Sequence, residues 1–168
     1  MPSTKPLMVN DASPSKPSQC AGLLAQEHVA VLLTNIGGRL HRGATAYYRA
    51  AWDLGMTEWR LLMVLNSTES LNAGELSDAA DLDKAAVSRS LVLLQERKLI
   101  SVEQTRTRGR AAIARLTTDG RKLSEKLLKI SREREARLFK DFTAADKERL
   151  NLLLQRLTTA LAGADWES

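Results

Sequence analysis

The chain has 168 residues, of which 43% are hydrophobic and 27% charged, the balance of an ordinary globular protein with a formal net charge of +5. Its single cysteine, Cys20, excludes an intramolecular disulfide framework, and with only two histidines beside it no Cys/His zinc cluster is possible. No apolar run approaches the roughly 20 residues of a membrane span, and the N-terminal residues contain no apolar signal segment. We therefore expect a cytoplasmic protein that needs no metal, cofactor or membrane.

The positions of proline organise the chain. All four prolines, together with four serines, lie within the first 18 residues. Such a segment buries little apolar surface, so residues 1–19 are predicted to be a disordered tail. The remainder contains no proline to interrupt long helices, and we expect residues 20–168 to form a single domain.

The first two predicted helices are separated by Gly55. Apolar residues at helical spacing predict a long helix from Leu23 that ends at Leu54, with Gly55 as the C-cap residue. Thr57 is the predicted N-cap of the second helix, which is apolar nearly all round and is therefore expected to be buried.

Two shorter helices and a hairpin follow. A third helix is predicted over 73–80, and a tight turn at 81–82 leads to a fourth helix, capped by Asp83 and ending near Lys98. Alternating apolar residues over 100–104 and 112–116 predict a β-hairpin with a basic tip, TRTRGR. Thr117 is the predicted N-cap of the fifth helix, which runs to about Asp141. A sixth helix begins with a capping box formed by Thr143 and Asp146.

This order of elements predicts a mainly α protein with a small β-hairpin wing, a winged helix-turn-helix over residues 57–116. On the fourth helix, Val87, Leu91 and Leu94 share one face, which we expect to pack inward. The opposite face carries side chains that a DNA major groove admits: Ala85, Ser88, Arg89 and Val92. Lys84, in the first turn of this helix, is placed to contact a DNA phosphate.

The charge distribution agrees with this interpretation. Between Lys84 and Arg115 there are eight basic and two acidic residues, a net charge of +6 over 32 residues that exceeds the +5 of the whole chain. Such a stripe attracts phosphates, although a solvated basic face is the alternative. The candidate DNA-binding residues are Lys84, Ala85, Ser88, Arg89, Arg106, Arg108 and Arg110.

At these residues the chain resembles the MarR family of bacterial transcription regulators. The matching stretches are LGMTEWRLLMVL (54–65), ELSDAADLDKAAVSRSLVLLQERKLI (75–100) and RLTTDG (115–120). The resemblance implies a dimeric winged-helix protein on a pseudo-palindromic operator, often a repressor released by a small phenolic or aromatic-acid ligand. The family's wing commonly carries an aspartate where this chain has Arg108, which removes a carboxylate that could orient Arg110 but adds positive charge.

The terminal helices are predicted to mediate dimerisation. The sixth helix presents a leucine stripe at coiled-coil-like spacing, and residues 20–52 and 117–162 lie outside the DNA-reading unit. These stripes pack either on the chain's own first helix or on a second copy, and a two-fold dimer would match the symmetry of an operator. The candidate dimerisation residues are Leu150, Leu154, Leu157 and Leu161.

A ligand pocket is a further prediction. On the first helix His41, Tyr48 and Trp52 follow a glycine pair, which leaves space unfilled and costs roughly 1 kcal/mol per glycine. An aromatic carboxylate or phenol could stack on the two aromatic rings. The alternative is that the aromatics are core and the glycines allow close helix packing. The candidate ligand-binding residues are Gly37, His41, Tyr48, Trp52 and Arg60.

Three other functions fit the sequence less well than a ligand-controlled regulator does. Cys20 could act as a redox-sensing thiol, but no cation lies closer to it in sequence than Lys16. A winged helix used only for protein contacts would not need the basic wing. No phosphate loop, nucleophile elbow or HExxH motif is present, so an enzyme is not expected.

Overall fold

A computed structural model of the chain describes residues 28–103 and 112–163. Their backbone contacts divide into two compact units that meet in sequence between Met56 and Thr57. The predicted tail, Cys20, the turn of the hairpin and the three wing arginines Arg106, Arg108 and Arg110 lie outside the described residues.

The described part of the first unit is one helix, α1, over Val29–Trp52. Its first residue, Val29, follows His28, which has extended backbone angles, and the predicted start at Leu23 lies outside the described residues. It also ends two residues earlier than predicted. The C-cap residue is Asp53, in the left-handed conformation with φ 51°, and not Gly55. A short polar side chain tolerates this conformation better than most, which is why a glycine is not required there.

The second unit contains five helices and a small antiparallel sheet among its described residues. The elements are α2 (Met56–Ser67), β1 (Leu71–Asn72), α3 (Ala73–Ala80), α4 (Lys84–Glu96), β2 (Ile100–Glu103), β3 (Ile113–Leu116), α5 (Thr118–Leu138) and α6 (Ala144–Leu161). α2 begins at Met56, so Thr57 lies inside its first turn and is not the N-cap residue. α4 and α5 each end a few residues before the predicted position.

The sheet has the order β1-β3-β2. β2 and β3 form the predicted hairpin, with Ile100 opposite Leu116 and Glu103 opposite Ile113. β1, which pairs Leu71 with Ala114, was not predicted. A two-residue strand is too short to show the alternation by which strands are recognised.

The core of the second unit is formed by the inner faces of its helices. Fully buried leucines of α2, α3, α4 and α5 form it: Leu61, Leu62, Leu65, Leu76, Leu94 and Leu127. Burying each of these side chains contributes about 1.5–3 kcal/mol. The prediction that α2 would be buried is thus confirmed, and the fold is the mainly α winged helix-turn-helix expected from the sequence.

Candidate nucleic-acid interface

The turn between α3 and α4 is fixed by local hydrogen bonds. The Asn72 side chain accepts from the backbone of Glu75, whose carboxylate accepts in return from the Asn72 N–H, so a capping box starts α3. At the other end Asp81 adopts the left-handed conformation, and the Ser77 hydroxyl donates to the Leu82 carbonyl over 2.5 Å. The predicted tight turn is confirmed, with Ser77 as a component that periodicity did not reveal.

α4 starts where its cap predicts. The Asp83 carboxylate accepts a hydrogen bond from the Ala86 N–H over 2.8 Å. This cap satisfies one of the N–H groups that a helix leaves unpaired at its N-terminus. The cap therefore fixes the first turn of α4, which carries the exposed Lys84.

The inner face of α4 is anchored to α2 and α3. Val87 and Leu94 are fully buried and Leu91 is half-buried, as predicted. Between them Ser90, which is 4% exposed, donates to the Glu58 carboxylate of α2 over 2.9 Å. This polar anchor was not predicted, because the two residues are 32 positions apart and only the fold brings them together.

The outer face of α4 is the predicted one. Ala85, Ser88, Arg89 and Val92 are all exposed. Among the described residues neither Lys84 nor Arg89 forms an ion pair, so their charge is not neutralised by a neighbouring carboxylate there. The face thus presents a guanidinium, a hydroxyl and small apolar groups on a helix held rigidly from behind.

The base of the wing is joined to the start of α5. The Thr117 hydroxyl donates to the Lys98 carbonyl over 2.8 Å and accepts from the Gly120 N–H, while the Thr117 N–H donates to the Leu99 carbonyl. Gly120 is buried, and a Cβ atom there would collide with the Leu99 carbonyl oxygen. Lys98 itself has a φ of 58°. Lys98 and Arg115, which are both exposed, lie at this base and add positive charge to it.

The predicted ligand residues are distributed over both units. In the first unit His41 is exposed, Tyr48 is buried and Trp52 is half-buried, and the Tyr48 and Trp52 ring centres are 6.1 Å apart. A Cβ atom on Gly37 would meet no described atom within 4 Å. In the second unit Arg60 is exposed on α2, and its guanidinium donates to the Ala80 carbonyl over 3.5 Å.

Thr45 is a residue on α1 that the sequence analysis missed. Its hydroxyl oxygen is buried and has no hydrogen-bond partner among the described residues. The hydroxyls of Thr34, Thr158 and Thr159 each donate to the carbonyl four residues earlier, as is usual inside a helix. Thr45 falls at helical spacing between His41 and Tyr48, so the face that carries the predicted ligand residues also carries an unused polar group.

The predicted dimerisation residues lie at the surface of the single chain. Leu154, Leu157 and Leu161 are 37–47% exposed and Leu150 is half-buried. α6 contributes no buried residue. On α1 the apolar stripe is also exposed, with Ile36 and Leu40 at 44% and 48%.

Two absences hold for the part of the chain that is described. No helix there is long and apolar enough to cross a membrane. No group of three or more His, Cys, Asp or Glu side chains there is arranged to hold a metal ion.

The fold and the exposed basic face of α4 define a winged helix-turn-helix protein. The sequence model of the MarR family matches residues 52–111. The crystal structure of a MarR/EmrR family transcriptional regulator from Acinetobacter sp. ADP1 is 32% identical, with a TM-score of 0.74 over 82% of this chain and 96% of that chain. The chain belongs to the MarR family of transcriptional regulators.

Two further proteins are similar to this chain. The HTH-type transcriptional repressor IacR of Pseudomonas putida is 28% identical over 103 residues, which are 61% of this chain and 62% of that protein. The match therefore spans less than two thirds of this curated relative. Bordetella bronchiseptica BpsR, whose DNA binding is regulated by 6-hydroxynicotinic acid, shares the fold at 20% identity, with a TM-score of 0.65 over 76% of this chain and 98% of that chain.

Proposed function

We propose that the protein binds a pseudo-palindromic DNA operator as a homodimer and represses transcription from it. The outer face of α4 carries this proposal, because Ser88 and Arg89 are exposed there while the same helix is anchored behind by Val87, Leu94 and the Ser90–Glu58 hydrogen bond. A helix of this kind fits the major groove, where arginine reads guanine. A regulator of this kind acts in the cytoplasm, where bacterial DNA lies.

In this proposal the charges divide into base-reading and phosphate-binding groups. Arg89 and Ser88 read base edges, with Ala85 close to the groove floor. Lys84 at the capped end of α4, together with the wing residues Arg106, Arg108 and Arg110, contacts phosphates. Phosphate contacts set affinity and its salt dependence, whereas base contacts set sequence preference.

The proposed homodimer accounts for the apolar surface of the terminal helices. Leu150, Leu154, Leu157 and Leu161 recur at spacings of four, three and four residues along α6. Leu150 and Leu154 also line an open groove of about 480 Å³ beside Phe139, at the end of α5. A second copy seated on this surface would bury the stripe and place two α4 helices on one DNA duplex.

The test of operator binding is a salt titration of a duplex from upstream of the gene and of a scrambled duplex. If a dimer neutralises roughly 6–8 phosphates, log K falls with log salt at a slope of about −5 to −7. Arg89→Ala should cost roughly 1–3 kcal/mol and relax the preference for the upstream duplex, whereas Arg108→Ala should weaken both duplexes alike and flatten the slope by about one. Equal, weak binding of both duplexes by the wild type would contradict the proposal.

We further propose that a small aromatic carboxylate or phenol releases the operator. Gly37, His41, Thr45, Tyr48 and Trp52 lie on one face of α1, where Gly37 leaves open space, His41 is exposed and Trp52 is half-buried, while Tyr48 and the Thr45 hydroxyl are buried. Arg60 lies in the second unit and is not included in this face. The regulation of BpsR by 6-hydroxynicotinic acid, an aromatic acid, supports this choice of ligand class.

The ligand releases DNA only by its differential affinity for the two states of the dimer, and a coupling of 1–3 kcal/mol would weaken operator binding about 5- to 150-fold. Screening aromatic acids and phenols by thermal shift, then repeating the operator titration with each hit, tests this. Gly37→Leu should abolish the response and leave DNA binding intact, while Gly43→Leu, at an equally open glycine on another face of α1, should preserve the response. A full response in Gly37→Leu would exclude the pocket.

A further inference from the structure

Val92 is an exposed apolar side chain in the middle of the α4 face to which the proposed function assigns DNA. It is 54% exposed. At about 100° per residue, Val92 lies about 20° from Ala85, with Arg89 about 40° to one side of Ala85 and Ser88 about 60° to the other. Ala85 and Val92 therefore form a narrow apolar line between the guanidinium and the hydroxyl.

The single chain offers no stabilising reason for a valine at this position. A β-branched residue loses rotamer freedom in a helix, and an exposed one gains nothing from burial. Ala85 and Val92 are about 10 Å apart along α4, which is close to three base-pair steps of duplex DNA. A helix lying in the groove can thus bring both residues to base edges.

The floor of the major groove presents one apolar group, the C5-methyl of thymine. We infer that Val92 contacts the methyl group of a thymine in each operator half-site and so makes that base part of the recognition sequence. This inference rests on the proposed function and names a second specificity-determining residue beside Arg89.

The test begins with duplexes selected from a random library by the purified full-length protein. Each thymine of the selected duplex is then replaced by deoxyuridine, which pairs identically and lacks only the methyl group. At one position in each half-site the replacement should weaken wild-type binding about 3- to 5-fold, the effect of exposing one buried methyl. With Val92→Ala the same replacement should change binding less than about 1.5-fold, because the contact is already lost.

Leu93→Ala is the matched control, since Leu93 is 48% exposed on the same turn but about 80° from the centre of the face. This variant should keep the full thymine preference. Indifference of the wild type to every replacement, or a thymine preference that persists in Val92→Ala, would overturn the inference and leave operator binding intact. If the wild type enriches no sequence at all, both the inference and the proposed function are wrong.

Discussion

α2 and α6 are both rich in leucine, yet the single chain buries the leucines of one and exposes those of the other. Leu61, Leu62 and Leu65 of α2 are 0% exposed, whereas Leu154 and Leu157 of α6 are 39% and 37% exposed. Burying a leucine contributes about 1.5–3 kcal/mol, so the leucines of α2 stabilise the single chain more than those of α6 do. α6 therefore keeps an exposed apolar stripe in the single chain, and the proposed homodimer would bury it.

The local signals of these regions do not show this difference. α6 begins with a full capping box between Thr143 and Asp146, as good as the one that begins α3. Caps decide where a helix starts, but packing decides what it contributes to stability. The difference between α2 and α6 therefore lies in their tertiary contacts. Substitutions in the DNA-reading part and in α6 can test it.

The largest effect is expected from Leu154→Arg combined with Leu157→Arg. Both residues are surface residues of the single chain, so the winged-helix part should stay folded, but four unpaired arginines in a dimer interface are strongly unfavourable. We expect a folded monomer by light scattering, with operator affinity lowered more than about 100-fold. Leu152→Arg, on another side of α6 and 55% exposed, is the control that should stay dimeric. An intact dimer in the double variant would place the interface elsewhere.

Gly120→Ala should damage the DNA-reading part by crowding it. The added Cβ would collide with the Leu99 carbonyl oxygen and lie 2.9 Å from its carbon, where the backbone cannot yield easily. We expect a loss of about 3 kcal/mol or more and a fall in Tm of about 10 °C. In Gly43→Ala nothing stands within 4 Å of the new methyl, so a helix stabilised by up to about 1 kcal/mol is expected. Equal Tm changes in the two variants would show that the contact at Leu99 is not tight.

Two serines of α4 have different roles: Ser90 anchors the helix to α2, and Ser88 lies on the face proposed to contact DNA. Ser90→Ala removes the donor to Glu58 and should lower the free energy of unfolding by about 1–2 kcal/mol in a denaturant titration. Ser88→Ala, two residues away on the exposed face, should leave that free energy within about 0.5 kcal/mol and change sequence preference instead. If Ser88→Ala lowered the free energy of unfolding and Ser90→Ala changed the sequence preference, Ser90 and not Ser88 would face the DNA.

The smallest effect concerns the cap of α6. Asp146 accepts hydrogen bonds from the Thr143 hydroxyl and backbone N–H, which lower its pKa below 3.8. Because the pKa is lower in the folded state, this contribution to helix stability is present above pH 3.8 and is lost as the pH falls through the folded-state pKa. In Thr143→Ala an NMR titration of the carboxyl should show its pKa returning toward 3.8, and an unchanged value would show that the cap does not form in solution.

Much of the fold follows from the sequence because its signals are local. Asp83 and Thr117 cap α4 and α5 as predicted, and the inner and outer faces of α4 follow from periodicity alone. The Ser77–Leu82 and Ser90–Glu58 hydrogen bonds could not be predicted in this way. Serine, glutamate and a backbone carbonyl have many potential partners, and only the packed fold selects one.

Glycine and threonine were the least informative residue types in the sequence. Gly120 is essential for close packing, while Gly37 meets nothing, yet both occur within helices. The buried Thr45 hydroxyl has no hydrogen-bond partner among the described residues, whereas the exposed Thr34 hydroxyl donates to a helix carbonyl, and no sequence signal distinguishes the two. The candidate ligand face could therefore be predicted from its aromatics, but the unused hydroxyl is found only in the structure.

The mass of the full chain in solution tests most directly whether α6 needs a second copy. Sedimentation equilibrium at micromolar concentration should give twice the 18.5 kDa of one chain, with no dependence on the presence of DNA. A species of 18.5 kDa with α6 still helical by hydrogen exchange would contradict this. The leucine stripe would then be stable at the surface, and two-fold operator binding would lose its structural basis.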